Sequence, residues 1–161
     1  MTEPLVIEFG KDWEATMGKL REPEKVLEQP MKRFLTRAIL FAERKAREGA
    51  PYDTGALARS LVSEVHPMSA RVFSTRNYAM TMEVGMKPWG EMPNVRPDPD
   101  SLVGWIRRHG LSMSPFALAN AIAKRGIRGR FFMRKTKLET EAQMPAFLAE
   151  LGGDIGKEWL A

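Results

Sequence analysis

A proline-rich stretch in the middle of the chain, MKPWGEMPNVRPDPDS at residues 86–101, most restricts the folds open to this sequence. Proline has no backbone N–H and a fixed φ, so four prolines in this stretch exclude both a regular helix and a central strand. We therefore predict a long exposed loop over residues 86–100, and long ordered loops are often functional. The regular elements have to form on either side of it.

Before this loop, the sequence predicts one helix and a small sheet. Residues 31–48, MKRFLTRAILFAERKARE, repeat apolar side chains at helical spacing with charges opposite, which indicates an amphipathic helix ending at Gly49. LVSEVH at 61–66 and ARVFST at 70–75 are rich in β-branched residues and predict a hairpin. YAMTMEVG at 78–85 is a candidate third strand.

After the loop, the pattern is helical. Ser101 is expected to cap a helix that runs through about His109, and Ser114 followed by Pro115 is expected to begin a helix that Gly126 ends. From Lys135 the chain is again helical in pattern, with interruptions at Pro145 and at 152–153.

These elements predict a single α+β domain over residues 1–161. It has an N-terminal amphipathic helix, a small antiparallel β-sheet of about three to four strands, helices packed on one side, and a C-terminal helix. A chain of 161 residues buries enough surface to form a hydrophobic core that needs no disulfide bonds or structural metal ions. The amino terminus lacks a basic region followed by an apolar run, so we expect a soluble protein made in the cytosol, with no membrane contact.

Composition and charge narrow the chemistry. There is no cysteine, and two histidines alone do not build a zinc site, so we expect neither a metal nor a cofactor. The net charge of +5 lies in the last third of the chain, because no acidic residue occurs from Ser101 to Leu138. We expect something acidic to lie near this stretch in the working state.

The tetrapeptide Asp53-Thr54-Gly55-Ala56 matches the catalytic motif of retroviral-type aspartic proteases. Those enzymes deliver the aspartate at the end of a buried apolar strand so that two carboxylates share a proton. Here a helix end and a turn precede Asp53. We therefore expect Asp53 or Thr54 to cap a helical turn with Leu57 pointing inward, and we expect no catalytic residue. A triad of Ser60, His66 and Asp53 also lacks the glycines that surround a nucleophile elbow.

Together with the segments that follow it, this stretch resembles the tail-completion or neck family of long-tailed bacteriophages. The pattern is similar to that of the minor tail protein Z of lambdoid phages. The family pattern A-P-x-D-T-G-x-L-x-x-S is matched by Ala50, Pro51, Asp53, Thr54, Gly55, Leu57 and Ser60. A second pattern, Y-A-x-x-x-E-x-G, is matched by Tyr78, Ala79, Glu83 and Gly85. The proline-rich loop, Leu102 with Trp105, and Gly126, Gly129 and Phe131 or Phe132 follow in order. Met86 and the length of the loop depart from the family pattern.

The resemblance implies a structural virion protein without catalysis. Such subunits form rings, commonly hexamers, at the head-proximal end of the tail. Their neighbours are the tail terminator and the head-completion or connector proteins. Genomic DNA passes through the channel of the ring without specific recognition. In this sequence Trp89 and Met92 are candidate interface residues, although Trp89 packing on its own core is an equal alternative. We expect Arg125, Arg128, Arg130 and Arg134 to face acidic side chains of a neighbouring subunit rather than DNA.

A free basic nucleic-acid-binding module is the alternative function. The isoelectric point near 9.7 and the basic residues between 107 and 137 favour it. The absence of a recognisable helix-turn-helix or zinc module counts against it. A last expectation is local: Gly55 and Gly85 lie at junctions between a turn and a regular element, and at least one should have a positive φ.

Overall fold

The computed structural model describes residues 23–160 and is α+β, mostly helical with one small antiparallel sheet. Within these residues the elements are α1 (Pro23–Gly49), α2 (Ala56–Arg59), β1 (Leu61–His66), β2 (Ser69–Ser74), α3 (Ala79–Val84), α4 (Pro99–Arg108), α5 (Pro115–Arg125) and α6 (Phe132–Leu160). The chain forms two compact units. Unit A contains residues 23–41, Ser63–Arg71 and 140–160, and unit B contains Ala42–Val62 and Val72–Glu139.

Unit B holds the hydrophobic core that the sequence pattern of α1 predicts. Ala46 on α1 is buried together with Leu57, Leu61 and Phe132, each at most 3 % exposed. Full burial of a leucine or phenylalanine side chain stabilises the folded state by about 1.5–3 kcal/mol. The inward direction predicted for Leu57 is therefore confirmed.

Unit A is held by contacts between the first part of α1 and the second part of α6. The rings of Phe41 and Phe147 meet edge to face with centroids 5.7 Å apart. Arg37 donates hydrogen bonds to Glu150 at 2.7 Å and to Asp154 at 2.5 Å. These contacts attach α6 to α1 at several successive turns.

The predicted interruptions of the C-terminal helix are wrong, because α6 continues through Pro145 and through Gly152 and Gly153. A proline removes one helical hydrogen bond and two glycines lower the helix propensity, but both effects are local. Contacts of α6 before Pro145, at Glu139 with Lys45, and after it, at Phe147 and Glu158, hold its turns in place.

The predicted hairpin is confirmed, while the third strand is wrong. β1 and β2 form a two-stranded antiparallel sheet, and they are the two strands within residues 23–160. Residues 79–84 form α3 instead, with Ala79 and Met82 packed against the core at helical spacing. A short apolar run does not distinguish a strand from a helix by its pattern. The expected three to four strands are reduced to two, with isolated bridges at Gly85 with Arg128 and at Met86 with Met92.

The helices after the loop begin with proline, as the sequence of α5 predicts. Ser114 caps α5 by accepting from the backbone N–H of Ala117, and Gly126 ends the helix. For α4 the capping residue is Asp98 rather than Ser101, because Pro99 already fits the first helical position and the Asp98 carboxylate accepts from the N–H of Asp100. None of the helices in residues 23–160 has the length and apolar character needed to cross a bilayer.

Candidate functional site

The Asp53 stretch forms the turn between α1 and β1 in unit B. Gly55 occupies the N-cap position of α2 with φ 72° and has no side chain to cap the helix. Thr54 Oγ1 accepts a hydrogen bond from the backbone N–H of Ala56, the first residue of α2, at 3.4 Å. The prediction that Asp53 or Thr54 accepts a backbone N–H at the start of this turn is therefore confirmed for Thr54, and the positive φ predicted for at least one of Gly55 and Gly85 is confirmed at both.

Asp53 instead forms a two-point ion pair with Arg108 at the end of α4. Arg108 Nε donates to one carboxylate oxygen at 2.9 Å and its terminal nitrogen donates to the other at 2.5 Å. Hydrogen bonds from Arg108 lower the pKa of Asp53 below its usual value of 3.8, and the pKa of Arg108 is raised in return. A carboxylate held ionised in this way joins the turn to α4 and is a poor proton donor.

Ser60 and Leu57, the other residues of the first pattern, have structural partners. The Ser60 hydroxyl is buried, donates to the carbonyl oxygen of Leu57 at 2.7 Å and lies 2.8 Å from the hydroxyl of Ser74. His66 lies beside Glu64, with 3.8 Å between its Nε2 and the carboxylate. The partners of Ser60 and Asp53 thus differ from those of a catalytic triad.

Glu83 of the second pattern anchors the beginning of α6. Its two carboxylate oxygens accept the backbone N–H groups of Met133 at 2.8 Å and Arg134 at 2.9 Å. These N–H groups belong to the first turn of the helix, where no carbonyl oxygen of the helix itself is available to them. A negative charge at this position also suits the helix dipole.

Tight backbone contacts join the segment after α3 to the segment after α5. The N–H of Met86 donates to the carbonyl oxygen of Ile127 at 2.7 Å. Gly85, with φ 75°, lies so close to Gly129 that a Cβ at either residue would overlap backbone atoms of the other segment. We call this contact between residues 82–92 and 126–131 the glycine interlock. It explains why the second pattern ends in glycine and why glycines recur before Phe131.

The first part of the proline-rich loop belongs to this interlock. Met92 is half-buried, and its backbone bonds both Gly85 and Lys87, so it is fixed mainly through its main chain. Trp89 has 57 % of its surface exposed, and the guanidinium of Arg128 lies 4.6 Å from its ring centroid. Trp89 therefore does not cover the core, and it presents an aromatic surface next to a cation.

The four candidate interface arginines are all exposed, but their partners differ. Arg134 lies over the ring of Phe131 and 3.7 Å from Glu91, and Arg128 lies over Trp89. Within residues 23–160, Arg125 and Arg130 have no acidic partner. Unit B as a whole contains sixteen basic and eight acidic side chains, so its surface carries a large positive excess.

A cleft of about 410 Å³ in unit B collects residues from several of the family-like segments. Tyr52, Thr54 and Tyr78 line it together with Trp105, His109 and Arg130. Tyr52 is 84 % exposed and Tyr78 is 41 % exposed, while the rings of Trp105 and His109 stack 4.1 Å apart. Two tyrosines, a tryptophan and an arginine are the residue types most often found at binding hot spots.

Sequence reasoning missed the participation of Tyr52, Arg108 and His109 in this region. The available signal was the acid-free stretch from 101 to 138, which indicated only that an acidic group from outside it lies nearby. Spacing did not single out Asp53 as that acid. Among residues 23–160 no group of three or more His, Asp or Glu side chains is placed to hold a metal ion.

Comparison of the chain with protein-family models, with curated proteins and with solved structures finds no match.

Proposed function

We propose that the chain is a structural virion protein of a tailed bacteriophage, a ring-forming neck or tail-completion subunit that enables the head to join the tail. The observation that supports this best is the convergence of the family-like segments in unit B. Phe132 packs with Leu57, Glu83 anchors the start of α6, and Gly85 lies against Gly129. Residues far apart in the sequence thus act together as a scaffold.

The roles of the polar motif residues favour a structural protein over an enzyme. Asp53 is paired with Arg108, Glu83 binds two backbone N–H groups, and Ser60 bonds Leu57 and Ser74. Each bond fixes one element of unit B to another. A scaffold of this kind keeps the exposed surface of the proline-rich loop and of residues 124–130 in one shape, as a subunit with several neighbours requires.

The exposed arginines supply the surface for an unlike partner. Arg125 is the last residue of α5 and Arg128 lies three residues after it, and in the described residues neither forms an ion pair. Guanidinium groups pair with carboxylates through two parallel hydrogen bonds, so an acidic face of an adjacent ring is the partner we propose. Genomic DNA would pass the ring without specific recognition, because tight phosphate contacts would oppose its release.

The test is charge reversal in the phage that encodes the chain. The double variant Arg125→Glu, Arg128→Glu should give heads and tails that are each normal in electron micrographs but do not join. The control Lys135→Glu changes an exposed charge in the first turn of α6 and should join normally. Normal joining by the double variant, or absence of the protein from purified virions, would refute the proposal.

A free nucleic-acid-binding module is the second candidate, and one observation favours it. Trp89 is exposed beside Arg128, and an aromatic ring next to cations is a platform on which unpaired bases stack. Electrophoretic mobility shift at near-physiological salt separates the two candidates. Tight binding that Trp89→Ala weakens would support the module, and weak binding that 200 mM salt removes would count against it.

A further inference from the structure

The aromatic cleft of unit B has a cation without a partner. Arg130 is exposed at its edge, and within residues 23–160 no carboxylate pairs with its guanidinium. The acid nearest in the cleft lining, Asp53, is already engaged on both oxygens by Arg108. The cleft is therefore positively charged, and its volume of about 410 Å³ lies in the range of roughly 300–1,000 Å³ common for ligand sites.

Unit B also contains a segment with the opposite properties. Three of its eight acidic residues have no cation partner in the described residues: Glu83, which accepts two backbone N–H groups, Asp98, which accepts the N–H of Asp100, and Asp100 itself. The other five pair with cations: Glu43, Glu48, Asp53, Glu91 and Glu139. Within the described residues, Arg130 in the cleft and the two exposed aspartates of this segment thus all lack a partner of opposite charge.

The shape of the acidic segment suits an aromatic cleft. Residues 93–98 form neither helix nor strand, and they alternate prolines with exposed side chains. Val95 is 61 % exposed, and Asp98 has extended backbone angles, φ −61° and ψ 124°. Extended proline-containing segments bind grooves lined by Tyr and Trp, because little conformational entropy is lost when they dock. Arg96, the one cation of the segment, is drawn aside over the ring of Phe116 at 6.0 Å.

We propose that the proline-rich segment 93–100 of one copy docks in the Tyr52–Tyr78–Trp105 cleft of a second copy. Val95 packs against the aromatic walls, and Asp98 or Asp100 pairs with Arg130. The contact joins two different surfaces, so it is head-to-tail, and repetition of such a contact closes a ring when the rotation allows it. The inference deepens the proposed function, on which it rests for its setting, by naming the contact between subunits.

The first experiment uses a labelled synthetic peptide of residues 92–101, MPNVRPDPDS, added to the full chain and followed by fluorescence anisotropy. Saturable binding is expected, weakened about tenfold by Arg130→Glu or Tyr78→Ala in the protein. Replacement of both aspartates in the peptide by asparagine should weaken it equally. Lys135→Glu, which reverses an exposed charge outside the cleft lining, should bind like the unaltered chain. No saturable binding at millimolar peptide, or equal binding by a scrambled peptide, would overturn the inference.

The second experiment exploits the two unlike surfaces. Arg130→Glu prevents the cleft from binding the acidic segment but leaves the segment unchanged. The combined change Asp98→Asn, Asp100→Arg prevents the segment from binding the cleft but leaves the cleft unchanged. Asparagine at position 98 still caps α4. In sedimentation velocity each variant alone should be monomeric, and an equimolar mixture should form dimers through the one intact pair of surfaces. A mixture that stays monomeric would contradict the head-to-tail contact.

The two proposals fail independently. If the peptide binds and the mixture dimerises while Arg125→Glu, Arg128→Glu phages join normally, the contact between copies stands and the neck role falls. If the peptide does not bind while those phages still fail to join, the neck role stands and the cleft contact falls.

Discussion

The glycine interlock makes a quantitative prediction about Gly126, the residue that ends α5. Its backbone has φ 71° and ψ −174°, a region almost restricted to glycine. A Cβ there would lie 2.6 Å from the carbonyl oxygen of Met86 and closer still to that of Lys87. Both neighbours are backbone atoms, so no side chain can rotate away to make room.

The expected cost of Gly126→Ala is the sum of two effects. Forcing a residue with a Cβ into this backbone region costs about 1–3 kcal/mol, and displacing packed backbone costs about 1–3 kcal/mol more. We therefore predict that the variant loses roughly 2–6 kcal/mol of unfolding free energy. For a chain of this length, about 1 kcal/mol lowers Tm by roughly 2–4 °C.

Two other glycines provide matched controls. Gly110 also has a positive φ, 62°, but a Cβ there would have no neighbour within 4 Å, so Gly110→Ala isolates the backbone cost of about 1 kcal/mol. Gly152 lies inside α6 with open space around it, and Gly152→Ala should stabilise by about 0.5–1 kcal/mol. Urea unfolding followed by circular dichroism gives all three values. If Gly126→Ala costs no more than Gly110→Ala, the close approach of the two segments is wrong.

Three further predictions concern the same scaffold. Glu83→Ala should cost about 1–2 kcal/mol in urea unfolding because two N–H groups of α6 lose their acceptor, and Glu83→Gln, which keeps one acceptor, should cost less. Hydrogen bonds from arginine lower the folded-state pKa values of Asp53 and Asp154 below 3.8, so their contribution to stability should be complete above that pH and disappear as the pH falls through the lowered values. Between pH 6 and pH 2, the Tm of the double variant with asparagine at both positions should therefore decline less steeply below pH 3.8 than that of the unaltered chain. An unchanged slope would count against these ion pairs. Leu61→Ala should cost about 2–5 kcal/mol since this side chain is fully buried, whereas Leu138→Ala, at a 62 % exposed position, should change the unfolding free energy little.

Sequence reasoning succeeded where one local signal determines an element. The end of α1 at Gly49, the hairpin of β1 and β2, and α5 between Ser114 and Gly126 depend on periodicity and on capping residues that short windows contain. It failed where contacts between residues far apart in the sequence determine the structure of a segment. The third strand became α3 because its apolar side chains meet the core at helical spacing.

In the candidate site, too, a local feature could be predicted and contacts between distant residues could not. The positive φ of Gly55 follows from its place in a turn, but the partner of Asp53 lies 55 residues away on α4. The cleft could not be predicted either, because Tyr52, Tyr78 and Arg130 become neighbours only when α2, α3 and the segment after α5 pack together. Composition did indicate that the acid-free stretch needs acids from outside it, and Asp53 is one of them.

The glycine interlock also has a consequence for how such a chain can evolve. The hydrogen bond between Met86 and Ile127 holds together the two ends of the segment that contains the proline-rich loop, α4 and α5. A segment whose ends are fixed side by side can be lengthened, shortened or exchanged without moving the elements that carry it. We therefore expect insertions and deletions among relatives to concentrate in residues 93–125, between the two halves of the interlock, so that one scaffold can acquire new partners by replacing a single stretch of chain.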